Sequence, residues 1–269
     1  MLRTVSRAGR VLDLFSAERT EWGVTEVARE LTVAKSQAHE LLISLADIGL
    51  LERVGAGRYR LGWRFVALGS LLLETTGLRR EVVPAMQALV GRYGETLHLG
   101  VWERERPICI ATVEGRHPNA VAPWPLGGEP PAHCTALGKV LLASRTGKEL
   151  DGLLDRDALE PRTHRTIVTS ADLSRELAGV RDRGFAHEEE EYVAGACAVA
   201  APIVYRRGAV MAAVSMSAAA HRWRARKEEY TRALVTVAAS TSRRVMRRSV
   251  AAAGAHPTLG DGAHAVMNG

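Results

Sequence analysis

The sequence predicts an α+β protein of two domains, an N-terminal winged helix-turn-helix followed by a larger α/β domain. Three observations carry this prediction. Short amphipathic helices and a Gly-rich hairpin follow one another within residues 1–70. The texture then changes after "GRYGET" to alternating, β-prone segments. Late in the chain, "CAVAAPIVY" and "AVMAAVSMS" flank "RRG", which reads as a second hairpin. A length of 269 residues also corresponds to roughly two domains.

The elements follow in order. Ala8, Val11, Leu12 and Phe15 recur at helical spacing, with Ser6 as candidate N-cap. "VTEVAREL" (Val24–Leu31) is a second helix opened by Thr25 and Glu26. A tight turn at "TV" leads to a third, "AKSQAHELLISLADIGL", expected to bury Ala38, Leu41, Leu42, Leu45 and Ile48 and to stop at Gly49. Gly55-Ala56-Gly57 then turns a hairpin. "LGWRFVALGSLLLETTG" is a helix apolar on more than one side through Trp63, Val66, Leu68 and Leu71, as expected of one packing on another chain or bridging domains. A further helix covers about 79–93. "TLHLGVWE" and "PICIATVEG" are strands, Ala136–Ala143 and about 173–183 are helices, and the last helix spans about 223–246. The domains are therefore read as 1–70, a linker helix region 71–79, and 80–248. The Gly- and Ala-rich tail 249–269 is expected to be disordered.

Composition narrows the function classes. No apolar run reaches the ~18 residues of a membrane helix, and no secretory signal precedes the first helix, so a cytoplasmic protein without membrane association is expected. Cys109, Cys134 and Cys197 lack metal or disulfide spacing. No P-loop, GxGxxG after a strand or HExxH is present, and no cofactor is expected. The net charge is +6, but residues 1–70 hold ten Lys and Arg against eight Asp and Glu, while 221–248 hold nine against two. Basicity alone therefore does not single out the N-terminal domain, and the basic last helix reads as a solvated face.

In a winged helix-turn-helix the second helix of the pair fits the DNA major groove. The candidate DNA contacts are Thr25, Lys35, Ser36, Gln37, His39 and Glu40, with Arg58 beside the hairpin tip reaching the neighbouring backbone or minor groove. In the second domain, "PPAHCTALGKVLLA" sets a catalytic reading against a binding one. Cys134 as a nucleophile would make a cysteine-dependent enzyme, but adjacent extended residues point to opposite faces, so His133 is not its direct base. A helix opening at "TALG" offers unpaired N–H groups to a carboxylate or hydroxyl. Ser215 and Ser217, two apart on a strand, share a face. Alternation across "HEEEEY" would place Glu188 and Glu190 on one face and His187, Glu189 and Glu191 on the other, as an acidic edge rather than a metal site.

The chain resembles the IclR family of bacterial transcriptional regulators. The resemblance rests on "SRAGRVLDLFS", "VTEVARELTVAKSQAHELLISLADIGLLER", "GRYRLGWRFVALG", "HCTALGKVLLA", "LAGVRDRGFAHEEEEYVAGACAVAAPI" and "AVSMS", in that order over some 210 residues. It implies a GAF-like effector-binding domain and a homodimer built through the winged domains and linker helices, often a homotetramer. It further implies a repressor-type regulator of operator DNA and a small-molecule effector, typically an organic or aromatic acid. By position, the effector site would comprise Ala136, Leu137, Glu188, Ala198, Ser215 and Ser217. Two departures stand out: Gln37 and Glu40 replace the Ser/Thr and Arg common in the recognition helix, and Cys197 falls one position early, leaving Ala198 at the pocket position.

Overall fold

The computed structural model describes residues 2–75, 77–145, 150, 152, 159–205 and 208–254, and the chain divides into two compact units, residues 1–76 and 77–269. The expected tail beyond Gly254 lies outside the described residues.

In the first unit, α1 spans Arg3–Leu12, β1 Glu21–Gly23, α2 Val24–Leu31, α3 Lys35–Asp47, β2 Leu51–Val54, β3 Arg58–Leu61 and α4 Arg64–Thr75. The three strands form an antiparallel sheet in the order β1-β3-β2. Val11, Val27, Leu31, Ala38, Leu42 and Leu45 from the three helices bury against Trp22, Leu51 and Tyr59 of the sheet. This is the helical i, i+3, i+4 pattern meeting the strand period of two. The turn between α2 and α3 begins at Thr32, whose φ of 55° closes α2 in the left-handed conformation.

Local expectations fail where a distant contact intervenes. Ser6 lies inside α1, whose N-cap is Leu2 without a side-chain cap bond. Phe15 lies beyond the helix, just past the turn at Asp13 and Leu14. Ile48 is 50% exposed rather than inward, because it is the C-cap where the chain leaves helical geometry for Gly49 at φ 75°. β1 has no local signal; its three residues are fixed by pairing with Arg58–Arg60 of β3. α4 buries none of its side chains within its unit, leaving Val66, Leu68, Leu71 and Leu72 exposed with Trp63 just before it.

In the second unit, α5 spans Leu78–Tyr93, β4 Thr96–Glu103, β5 Arg106–Val113, α6 Ala136–Ala143, α7 Ser170–Arg183, β6 Ala186–Glu189, β7 Ala196–Val204, β8 Val210–Ala219 and α8 Ala220–Gly254. The sheet is antiparallel in the order β5-β4-β8-β7-β6. Leu97, Leu99, Val199, Val214 and Met216 pack on one face with Val82, Met86, Trp223, Tyr230 and Leu234 of α5 and α8. Ala198, Ala200 and Ala213 pack on the other with Leu137, Leu141, Leu173 and Leu177 of α6 and α7. The result is three layers, with the sheet central. The last helix is longer than its apolar stripe predicts: it starts at Ala220, bends where Arg226 departs from helical φ/ψ, and runs on to Gly254, into the expected disordered tail. Among the described residues, no helix is long and apolar enough to cross a membrane.

Candidate functional site

Cross-strand register builds the second unit's site. Glu188 on β6 pairs with Ala198 on β7, Ala198 with Ser217 on β8, and Ser217 with Thr96 on β4. The adjacent same-face row is Ala186, Ala200, Ser215 and His98. Directly opposed residues of an antiparallel pair share a face, so both rows face α6. A cavity of about 410 Å³ opens between this floor and the start of α6. Ala136, Leu137, Glu188, Ala198, Ser215 and Ser217 all line it, with Thr135 and Cys197. Trp124 and Tyr192 add aromatic walls, their centroids 6.3 Å apart.

The start of α6 is capped by Thr135, whose hydroxyl accepts from Gly138 N–H at 3.1 Å and donates to the Pro131 carbonyl at 2.7 Å. Only glycine fits at 138: a Cβ there would lie 2.6 Å from Thr135 Oγ1 and from Ala132. The cap satisfies one first-turn donor. Ala136 and Leu137 occupy the first two helical positions, whose N–H groups have no partner within the helix.

Three floor residues set the cavity's chemistry. Burial holds the Glu188 carboxyl up, to about 7, although Oε1 accepts from the N–H groups of Glu191 and Tyr192 at 2.7 and 3.2 Å. Burial pushes His98 down to about 4, so its ring is neutral. The backbone N–H of Trp124 donates to His98 Nε2 at 3.2 Å, and the two rings stack with centroids 4.2 Å apart. His98 Nδ1 and Ser215 Oγ are buried polar atoms without a hydrogen-bond partner. From sequence, His98 offers itself with His187 only as a distant base for Cys134, and it is not among the expected effector-site residues. Its signal was a polar residue alternating between Leu97 and Leu99, but which strand lies opposite is not written locally.

The "HEEEEY" segment follows strand alternation only as far as Glu189. His187 bonds Thr231 of α8 at 2.9 Å and Glu189 pairs with Lys227, while Glu188 faces the cavity. Glu190, at φ 62°, then reverses the chain, so the alternation expected for Glu190 and Glu191 is broken. Glu191 turns back to Lys139. Among the described residues no cluster of His, Cys, Asp and Glu has metal-binding geometry.

The catalytic reading of Cys134 fails on chemistry. The thiol is fully buried, and burial pushes it to about 12, reinforced by the Glu188 charge. It is therefore protonated and not nucleophilic near neutral pH. His133 is occupied with the Glu160 carbonyl at 3.0 Å.

In the first unit, Thr25, Lys35, Ser36, Gln37, His39 and Glu40 are all exposed. Thr25, Lys35, Ser36, His39 and Arg58 border one concavity between α2, α3 and the hairpin tip. Gln37 and Glu40 border a second, beside Thr4 and Arg7 of α1. The N-cap of α3, Ala34, makes no side-chain cap bond, leaving the positive end of the helix open to an anion. Arg58 is less free than its place beside the tip implies. Its Nη2 donates to the Glu21 carbonyl at 2.9 Å, and its guanidinium lies 3.3 Å from the Glu21 carboxylate and 3.4 Å from that of Glu26.

Comparison with known proteins agrees with both halves. Residues 4–55 match the IclR helix-turn-helix domain, and 71–243 match the bacterial transcriptional regulator IclR C-terminal domain. The chain is 32% identical over 218 residues to the HTH-type transcriptional regulator XynR of Escherichia coli, covering 81% of this chain and 86% of that one. It is 32% identical over 248 residues to the glycerol operon regulatory protein of Streptomyces coelicolor, covering 91% and 96%. Among solved structures, Thermotoga maritima IclR matches with a TM-score of 0.65 at 30% identity, covering 91% of this chain and 99% of that one. An IclR homologue from Microbacterium hydrocarbonoxydans, complexed with 4-hydroxybenzoate, matches with a TM-score of 0.76 at 26% identity and the same coverage. These relatives are regulators rather than enzymes, and the chain belongs to the IclR family of bacterial transcriptional regulators.

Proposed function

We propose that this regulator acts in the cytoplasm as a repressor, binding operator DNA as a homodimer or a dimer of dimers and responding to a small organic or aromatic acid. The observation that carries the reading is the cavity beneath α6, where the open start of a helix meets buried polar groups on the sheet floor. A concave, largely apolar cavity with a few convergent polar groups is the usual form of a small-molecule site. The 4-hydroxybenzoate complex of the Microbacterium homologue supports an acid as effector. The repressor reading is supported by the relative named transcriptional repressor IclR in Escherichia coli, 28% identical over 219 residues.

At the DNA, Lys35 and Ser36 at the open start of α3 approach phosphate, while Gln37, His39 and Glu40 face base edges. Thr25 and the wing beside Arg58 flank the groove. The exposed apolar side chains of α4 supply a dimer surface, so two recognition helices address two half-sites. Footprinting of the gene's upstream region tests this, repeated with a panel of organic acids. The expected result is protection of a pseudo-palindrome, altered by a subset of the acids. A protein that protects no duplex, or whose protection no small molecule changes, would overturn the corresponding half of the proposal.

A further inference from the structure

The basic last helix, α8, divides into two stretches of different kind. Over residues 220–230 its cations are matched by acids: Arg222 with Glu95, Arg224 with Glu190, Arg226 with Glu229 and Lys227 with Glu189. Residues 231–254 hold five arginines and no Asp or Glu. Among these, Arg244 reaches across to Glu81 of α5, its Nε 3.7 Å from the carboxylate and its Nη2 donating to the Glu81 carbonyl at 3.4 Å. At the far end of the same helix pair, Arg92 of α5 approaches Glu229 of α8 at 4.0 Å, so the two helices run antiparallel. Residues 243–247 of α8 therefore lie beside the first turn of α5, which carries Arg79 and Arg80. Arg79, Arg80, Arg243 and Arg247 flank the Arg244–Glu81 pair and are all exposed. Among the described residues, no carboxylate lies within ion-pair distance of any of them. Like charges gathered in this way repel one another, and an anionic partner relieves the repulsion.

What the patch lacks points to the kind of partner. None of the large hydrophobic side chains exposed among the described residues lies on α5 or α8. The patch thus has neither the apolar core of a protein interface nor the apolar face of a membrane-bound helix. Its cations are all arginine, whose planar fork matches phosphate oxygens. Arg79 also follows closely on Thr76, the last residue of the first unit, so a duplex held by that unit is offered to the patch at high effective concentration. We propose that Arg79, Arg80, Arg243 and Arg247 form a second DNA contact, a sequence-independent phosphate grip in the C-terminal unit that holds the duplex flanking the operator. The inference rests on the reading of the first unit as the operator binder and goes beyond it. Base readout stays with α3, and the arginines add affinity that depends on the length of the DNA and not on its sequence.

The test uses the full chain and compares the operator pseudo-palindrome alone with the same operator extended on each side by about one or about two helical turns of unrelated sequence, ~10 or ~20 bp. Affinity is read by anisotropy at several salt concentrations. The wild type should bind the extended duplexes more tightly and with a steeper salt slope, whatever the sequence of the extension. Arg79→Gln, Arg80→Gln, Arg243→Gln and Arg247→Gln together should abolish that gain and keep the affinity for the bare operator. If each of two copies gives up one phosphate, the slope on the extended duplexes falls by about two, and raising the salt from about 50 to about 200 mM then costs the wild type roughly tenfold more affinity than the variant. Lysine at the same positions preserves the charge and should recover the slope, since counterion release counts charges. A lysine variant no better than the glutamine one would trace the loss to packing and overturn the grip. Equal loss on every duplex would overturn it too, as would an extension gain that survives the glutamines. A wild type that gains nothing from the extensions would turn the patch over to an acidic protein instead. Each of these outcomes leaves the operator reading standing, whereas a wild type that binds no duplex at all would overturn both.

Discussion

Lys139 on α6 and Glu191 in the turn after β6 form a buried ion pair, Nζ lying 2.6 Å from Oε1 with 1% of the lysine side chain exposed. Nζ also donates to the His187 carbonyl at 3.1 Å, so a single ammonium fastens the helix that starts at the cavity to the strand and turn that carry Glu188. The Glu191 N–H in turn donates to Glu188. Burial raises the Glu191 carboxyl despite the lysine, and its Oε2 lacks a hydrogen-bond partner.

Removing one member of such a pair strands the other. Lys139→Met should destabilise the C-terminal unit by about 3–5 kcal/mol, because Glu191 is left buried and uncompensated. Lys139→Met with Glu191→Leu should recover most of that loss. Urea unfolding followed by the fluorescence of Trp223, buried in this unit, reads both. A single variant as stable as wild type would show the pair to be energetically idle.

Glu188 predicts a pH dependence of defined sign. Its folded pKa, about 7, lies above the ordinary carboxyl value of 4.5, so the folded state holds its proton where the unfolded chain has released it. Its contribution to stability is fully present below about 4.5 and is lost as the pH rises through about 7. Glu188→Gln should remove this slope and gain on wild type by up to roughly 3 kcal/mol once the pH exceeds 7. Parallel Tm-versus-pH curves for the two proteins would contradict the buried-carboxyl assignment.

Lys35 and Gln37 should fail differently at DNA. Lys35→Ala should weaken all duplexes alike and reduce the salt slope by about one, as for a phosphate contact. Gln37→Ala should instead narrow the gap between operator and unrelated DNA, by about 1–3 kcal/mol if its contact is bidentate. Anisotropy titrations at several salt concentrations separate the two. Equal loss on every duplex for Gln37→Ala would make it a backbone contact.

Leu71 and Leu72 are 56% and 63% exposed on α4. If this surface joins two copies, Leu71→Glu with Leu72→Glu should shift the protein toward monomer in sedimentation velocity and weaken operator binding more than binding to a single half-site. An unchanged sedimentation coefficient would place the dimer surface elsewhere.

Local pattern alone fixes several elements. Val24–Leu31 and Ala136–Ala143 have the bounds their apolar spacing implies, and Gly55-Ala56-Gly57 turns the hairpin with Ala56 and Gly57 at positive φ. These features depend on residues three or four apart, or on one residue's backbone freedom. The positions of Glu188, Ser215 and Ser217 came from resemblance and from two-residue alternation on a single strand.

The sequence by itself determined the two-domain order, the helix-turn-helix with its hairpin, and the residues that open α6, because each follows from short-range pattern. The tertiary structure alone decided that His98 belongs to the cavity, that Glu191 turns back to Lys139, that Arg58 is tied to Glu21 and Glu26, and that three residues before α2 form a strand. The physical reason is the same in each case. Strand register and buried charge pairing join residues tens of positions apart, and which of them meet is fixed only when each unit's sheet and helices close on their cores.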